Sequence, residues 1–177
     1  EQMDAILGRL VYSRRMETLP QVVQRLLTAR GQTLAVAESC TGGGIAAALT
    51  DVAGSSAWFD RGFVTYSNEA KQDMLGVSAE TLRRCGAVSR ETVTEMAAGA
   101  IARSRAGLSV AVSGIAGPGG GTQDKPVGLV HVALAEGDGP TEGWRLQQIG
   151  GRELVRRRTV VFAMDRLRRA LLRRGQA

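Results

Sequence analysis

Ser39, Cys40 and Thr41 put three nucleophile types in a row, directly before Gly42-Gly43-Gly44. The run lies between a strand-like stretch, residues 33–38, and a helix-like stretch, residues 45–49. Backbone N–H groups at a helix start have no intrahelical acceptor, so they bind anions and can hold an oxyanion. Glycines there let a substrate approach the backbone. A plain capped turn, with Ser or Thr as N-cap, fits the same pattern.

A second segment is Tyr66-Ser67-Asn68-Glu69-Ala70-Lys71. Of the 23 basic residues, 21 are arginine; the two lysines are Lys71 and Lys125. An amine can give up its proton where a guanidinium does not. Burial or a nearby arginine would lower the Lys71 pKa, Tyr66 could share the proton, and Ser–Lys pairs activate hydroxyls. The competing readings are a solvent-exposed helix lysine and coding bias. A third segment runs Ser113-Gly114-Ile115-Ala116-Gly117-Pro118-Gly119-Gly120-Gly121-Thr122, then Asp124-Lys125-Pro126. Such a loop suits a phosphate cradled by backbone N–H groups, with Lys125 as a nearby cation. It is neither a Walker loop nor the dinucleotide fingerprint, whose third glycine position is Thr122.

These segments need elements to position them. Apolar spacing predicts a helix over 19–30, capped by Thr18, with Pro20 in its first turn. Strands are expected at 33–38, 58–66, 108–113, 127–135 and 142–149, the last two as a hairpin. Ser67, Ser78 and Ser89 read as N-caps, with Gly76 stopping the helix that carries Lys71. A helix over about 90–104 turns Val93, Met96, Ala97, Ala100 and Ile101 to one face. The last helix, 152–173, has the stripe Val160, Met164, Leu167 and Leu171, with arginines opposite. Helices that alternate with strands and then give way to a hairpin predict an α/β fold. One mixed β-sheet would be flanked by helices in a three-layer α/β/α arrangement.

Length and charge narrow the classes. At 177 residues the chain fits one domain, and no apolar run approaches the roughly 20 residues of a membrane span. Net charge is +6, but from Arg152 onward nine arginines face only Glu153 and Asp165. The basic character is one helix, not a polyanion-binding body. Its arginines interleave with an apolar stripe, as on a solvated helix covering a core, so nucleic acid is not the expected partner. Cys40 and Cys85 are too few for a disulfide framework or a zinc site. His131, alone in an alternating apolar stretch, reads as a sheet residue. Residues 1–15 read as an N-terminal extension without a secretory apolar region, which leaves a cytoplasmic expectation.

Taken together, five blocks resemble the CinA C-terminal-domain family. They are Ala37–Gly43, Gly54–Phe59, Arg61–Lys71, Gly86–Ser89, and Ser113–Pro118 with Lys125-Pro126-Val127-Gly128. The similarity runs in order from about residue 20 to 172. It implies hydrolysis of the carboxamide of nicotinamide mononucleotide (NMN), with no metal or organic cofactor, by a homodimer. It also implies the stand-alone form, since 177 residues leave no room for the larger N-terminal domain of many relatives. On this resemblance Ser39 is the nucleophile rather than Cys40, and Lys71 is the base. Tyr66 would orient Lys71 or relay its proton, and N–H groups around Thr41, Gly42 and Gly43 would hold the oxyanion. Ser113 and the loop from Gly114 to Gly121, with Ala116 and Gly117, would shape the pocket; the loop or Lys125 would meet the phosphate, and Arg152 would bind it too. Two positions depart from the family pattern: Gly119 and Gly151 stand where relatives often carry Asp, which bears on substrate affinity. An inactive nucleotide-binding relative and a DNA-binding competence protein are the alternative readings.

Overall fold

The computed structural model describes Gly8, residues 11–137 and residues 139–173. Most of the expected extension over 1–15, namely residues 1–7, 9 and 10, lies outside the described residues. The first helix, α1 (Leu19–Ala29), opens with Thr18, whose N–H donates to Gln21 Oε1 at 2.7 Å. It leads into β1 (Leu34–Glu38), buried at every position. Burial on both faces is what a central parallel strand needs, and the sequence there is apolar up to Glu38.

After β1 come α2 (Gly44–Thr50), β2 (Phe59–Val64), α3 (Asn68–Leu75), α4 (Ala79–Cys85) and α5 (Arg90–Ala102). The chain ends with β3 (Leu108–Gly114), β4 (Leu129–Glu136), β5 (Glu142–Gln147) and α6 (Arg152–Arg173). Strand order is β2-β1-β3-β4-β5. The first three strands run parallel, and the hairpin β4–β5 adds antiparallel to β3. The sheet is therefore mixed, as the sequence pattern predicts. Ser67, Ser78 and Ser89 each accept a backbone N–H at the start of α3, α4 and α5.

Alternation along the strands divides the core in two. Leu34, Val36, Val110, Val112 and Val132 face α1, α2 and α6. Ala35, Ala37, Ala111, Ala133 and Ala135 face α3 to α5. The alanine face lets α5 lie close: Ser109 Oγ donates to Ala97 O at 2.7 Å. On α6 the buried face is wider than the predicted stripe, taking in Val155, Thr159, Ala163 and Arg168, while Val160 is half-buried.

The connections place a site. β1 reaches β2 through α2 on one face; β2 reaches β3 through α3, α4 and α5 on the other. The two crossovers thus run in opposite directions across the sheet, which opens a crevice at the carboxyl ends of β1 and β3. That switch point is where ligands bind in open α/β sheets. Among the described residues no helix is long and apolar enough to cross a membrane.

Candidate active site

Ser39 is the first residue beyond β1. Its N–H donates to Val112 O at 3.0 Å, so the ladder to β3 fixes its position. The turn that follows needs its glycines: Gly42 and Gly43 have φ of +59° and +90°, which side chains resist. Glu38, fully buried, braces this turn from below. Its carboxylate accepts from Thr41 Oγ1 at 2.6 Å and from the N–H groups of Ile45 and Ala46 at 3.0 and 2.8 Å. The positive end of α2 is therefore neutralised by Glu38 rather than left open for a ligand. Gly42 N–H is also used, donating to Ser39 O at 3.0 Å. Among the described residues, the amides of Thr41 and Gly43 have no backbone acceptor, and the Cys40 amide faces its own thiol. Within the expected Thr41–Gly43 run, Gly42 is therefore the residue whose amide is already engaged.

Lys71 comes from α3, whose Ser67 cap and Gly76 stop fix the helix under the turn. The side chain is 1% exposed. Its Nζ lies 3.2 Å from Ser39 Oγ, 2.8 Å from Thr65 O and 3.4 Å from Ser67 O. Burial lowers its pKa below the usual 10.5, outweighing the opposing fields of Cys40 and Glu69. The Nζ donates to all three oxygens; once deprotonated, the amine can keep two N–H bonds to the carbonyls and turn its lone pair to the Ser39 hydroxyl. Burial acts the other way on Cys40, pushing its thiol up to about 11, with Glu38 adding to the rise. Cys40 is thus held as a neutral thiol.

Ser39, Cys40 and Lys71 stand in a cavity of about 200 Å³, lined also by Tyr66, Ala87, Val88, Ser113, Gly114, Ala116 and Arg152. Sequence reasoning gives a site role to all of these except Ala87 and Val88, which enter it only within the Gly86–Ser89 block. Tyr66 is placed differently from its expected role: its hydroxyl takes Arg152 Nη2 at 2.7 Å and is not among the Lys71 partners. Arg152 Nη1 donates to Gly117 O at 3.1 Å, so one guanidinium ties the tyrosine to the glycine loop. Lys125 does not line the cavity; its Nζ donates to Cys85 O at 2.6 Å. The loop itself is not an open cradle throughout. A Cβ on Gly117 or Gly121 would stand within 3 Å of Val127, so those glycines serve close packing. Gly119 and Gly151, the two departures from the family pattern, have free space around them.

Arg156, one turn after Arg152 on α6, also escaped the sequence reading. Its Nη2 donates to Thr41 O at 2.7 Å, clamping the nucleophile turn from a residue 115 positions away. Its Nε is buried and without a partner among the described residues. No group of three His, Cys, Asp or Glu among the described residues is arranged to hold a metal ion.

Comparison with known proteins places this geometry. A sequence model of the CinA C-terminal domain matches residues 16–171. Nicotinamide-nucleotide amidohydrolase PncC of Shigella flexneri is 53% identical over 149 residues, which cover 84% of this chain and 90% of that one. The protein of the same name from Escherichia coli K12 is 52% identical over the same share. A putative competence-damage inducible protein of Symbiobacterium thermophilum is 53% identical over 173 residues, but the chain spans only 41% of its length. Among solved structures, the competence/damage inducible protein CihA of Agrobacterium tumefaciens superposes with a TM-score of 0.81 at 52% identity. That match covers 86% of this chain and 94% of the other. A CinA superfamily protein of Klebsiella pneumoniae gives 0.84 at 43% identity, over 88% and 96%. The chain belongs to the CinA C-terminal domain family.

Proposed function

We propose that this chain is an amidase that hydrolyses the carboxamide of NMN to nicotinic acid mononucleotide and ammonia. The observation that carries the reading is the buried Ser39–Lys71 pair, 3.2 Å apart in the strand-end cavity. Relatives that share about half of its residues over 84% of the chain are named for this activity.

The chemistry follows from the cage around Lys71. Neutral Lys71 accepts the Ser39 hydroxyl proton as Oγ bonds to the carboxamide carbon. The developing oxyanion takes the Thr41 amide, with the Cys40 amide beside it released from its own thiol. Collapse breaks the C–N bond; Lys71 returns its proton to the departing nitrogen, and ammonia leaves. Water then attacks the ester on Ser39, Lys71 takes a proton from that water and passes it to Oγ as the ester C–O bond breaks, which restores the neutral amine and the hydroxyl. Tyr66 is linked to this centre through Arg152, whose guanidinium also faces the cavity and suits the 5′-phosphate. Ser113, Gly114 and Ala116 line the cavity, and Gly117 adjoins it through its carbonyl, which Arg152 holds. The family resemblance further supports a cytoplasmic homodimer. Tyr12, Leu154 and Val161 are exposed along an outer groove of α6, which supports that reading as a face a second copy would cover.

The test is ammonia release from NMN by the wild type, Ser39→Ala, Cys40→Ala and Lys71→Ala. Loss of either acting group should lower kcat by about 10²–10⁴-fold or more. Cys40→Ala should keep most of the activity. A Ser39→Ala variant that retains turnover while Cys40→Ala loses it overturns the assignment; an inert wild type overturns the amidase reading itself.

A further inference from the structure

The connection between α4 and α5 is held with unusual completeness for a surface turn. Three successive carbonyls are taken by side chains from three parts of the fold. Cys85 O accepts from Lys125 Nζ at 2.6 Å. Gly86 O accepts from Ser89 Oγ at 3.1 Å and Thr92 Oγ1 at 2.8 Å. Ala87 O accepts from Ser113 Oγ at 2.7 Å. The residues so fixed, Ala87 and Val88, form the apolar part of the cavity lining together with Ala116.

Lys125 is the long-range member of this set, 40 residues from its acceptor. Its own backbone is pinned by Thr122, which donates its N–H to Lys125 O at 2.8 Å and accepts the Lys125 N–H on Oγ1 at 3.1 Å. Room for the ammonium comes from Gly86: a Cβ there would sit 3.1 Å from Nζ, at a φ of +74°. A compact ammonium fits this slot, where a planar guanidinium would need more width. The glycine-rich loop is thereby fastened to the cavity wall through one amine.

We propose that Lys125 is a positioning residue: it locks residues 85–88 as a preformed apolar wall for the flat ring of the substrate, and does not bind the phosphate. Rigid walls raise affinity by lowering the ordering cost of binding. The ring named here rests on the proposed amidase reading; the locking of the wall does not.

The experiment compares wild type, Lys125→Met and Gly86→Ala. The second variant keeps the lysine charge but crowds its seat and strains the turn itself at a φ of +74°, so Lys125→Met is the arm that decides the role of the amine. Amide hydrogen exchange of residues 85–89, measured without substrate, should accelerate about tenfold or more in both variants. KM for NMN should rise about tenfold in both, with kcat within about threefold, the pattern of lost uniform binding. The ratio of variant to wild-type KM should not change between 50 and 500 mM salt, since no phosphate contact is removed. Unchanged exchange in Lys125→Met overturns the proposal. So does a KM rise seen only in Lys125→Met that shrinks with salt, the signature of a phosphate contact. If NMN is not turned over at all, the exchange measurement still decides the locking, separately from the amidase reading.

Discussion

Among the described residues, Lys71 has only neutral oxygens as hydrogen-bond acceptors: Ser39 Oγ, Thr65 O and Ser67 O. Burial is the largest influence on it, and burial disfavours the ammonium. The sign for catalysis is direct. The base form is the neutral amine, so its population rises with pH through a value below 10.5. The log of kcat/KM should therefore climb along an acid limb whose midpoint lies below the ordinary lysine value. A profile from pH 6 to 10.5 checks this; a limb centred at 10.5, or the same limb in Lys71→Ala, sinks the assignment of Lys71 as base. Cys40 behaves oppositely at the adjacent position. With its thiol pushed up to about 11, it holds little thiolate at pH 7.5. Alkylation by iodoacetamide at that pH should accordingly be slow at Cys40 compared with half-buried Cys85, as peptide mass mapping would read out.

The strand-to-helix turn between β1 and α2 depends on Glu38. Its carboxylate joins the strand end, the Thr41 hydroxyl and two N–H groups of α2. Replacing it with glutamine turns an amide N–H₂ toward one of these donors and removes the charge facing the helix start. The expected cost is about 1–3 kcal/mol of unfolding free energy in urea, with a lower kcat from a misplaced Ser39. A Glu38→Gln variant as stable and active as wild type would show that the glycines alone hold the turn. Nothing local in the sequence reveals this duty, since Glu38 reads as a polar strand end. The parts that were legible are those with local causes: the serine caps, the strand alternation, the Ser39 turn and the unusual lysine. The parts that were not are long-range. Arg156 meets Thr41, Lys125 meets Cys85, and Ala87 and Val88 enter the cavity only through tertiary packing. The arginines of α6 make the same point. Read as a solvated face, most are engaged: Arg152 and Arg156 at the site, Arg158 on Ile149 O, Arg168 and Arg169 on Asp165. Arg166 lies over the Trp144 and Phe162 rings. Engagement of this kind leaves less free charge for a polyanion than composition suggests.

At the scale of the whole molecule, the strand order both creates the crevice and buries a titrating group beside it. β4 pairs antiparallel with β3 and β5, which sets His131 opposite Ser113 on one side and Arg145 on the other. His131 is 9% exposed. Burial lowers its pKa first, and the charges of Arg145 and Lys125 lower it further, against a smaller opposing effect of Glu91. The folded chain therefore binds a proton at this site less readily than the unfolded chain, whose value is near 6.5. By linkage its contribution to stability is complete above pH 6.5 and declines as the pH falls below it. His131→Phe keeps a strand-forming ring and removes the titration. The difference in urea midpoint between wild type and His131→Phe, measured at pH 7.5 and 5.5, isolates this group from the general acid effect of the carboxylates. The wild type should lose more stability than the variant over that interval. An equal loss in both chains would mean that His131 accepts its proton without cost and that the sheet beside the cavity does not sense pH.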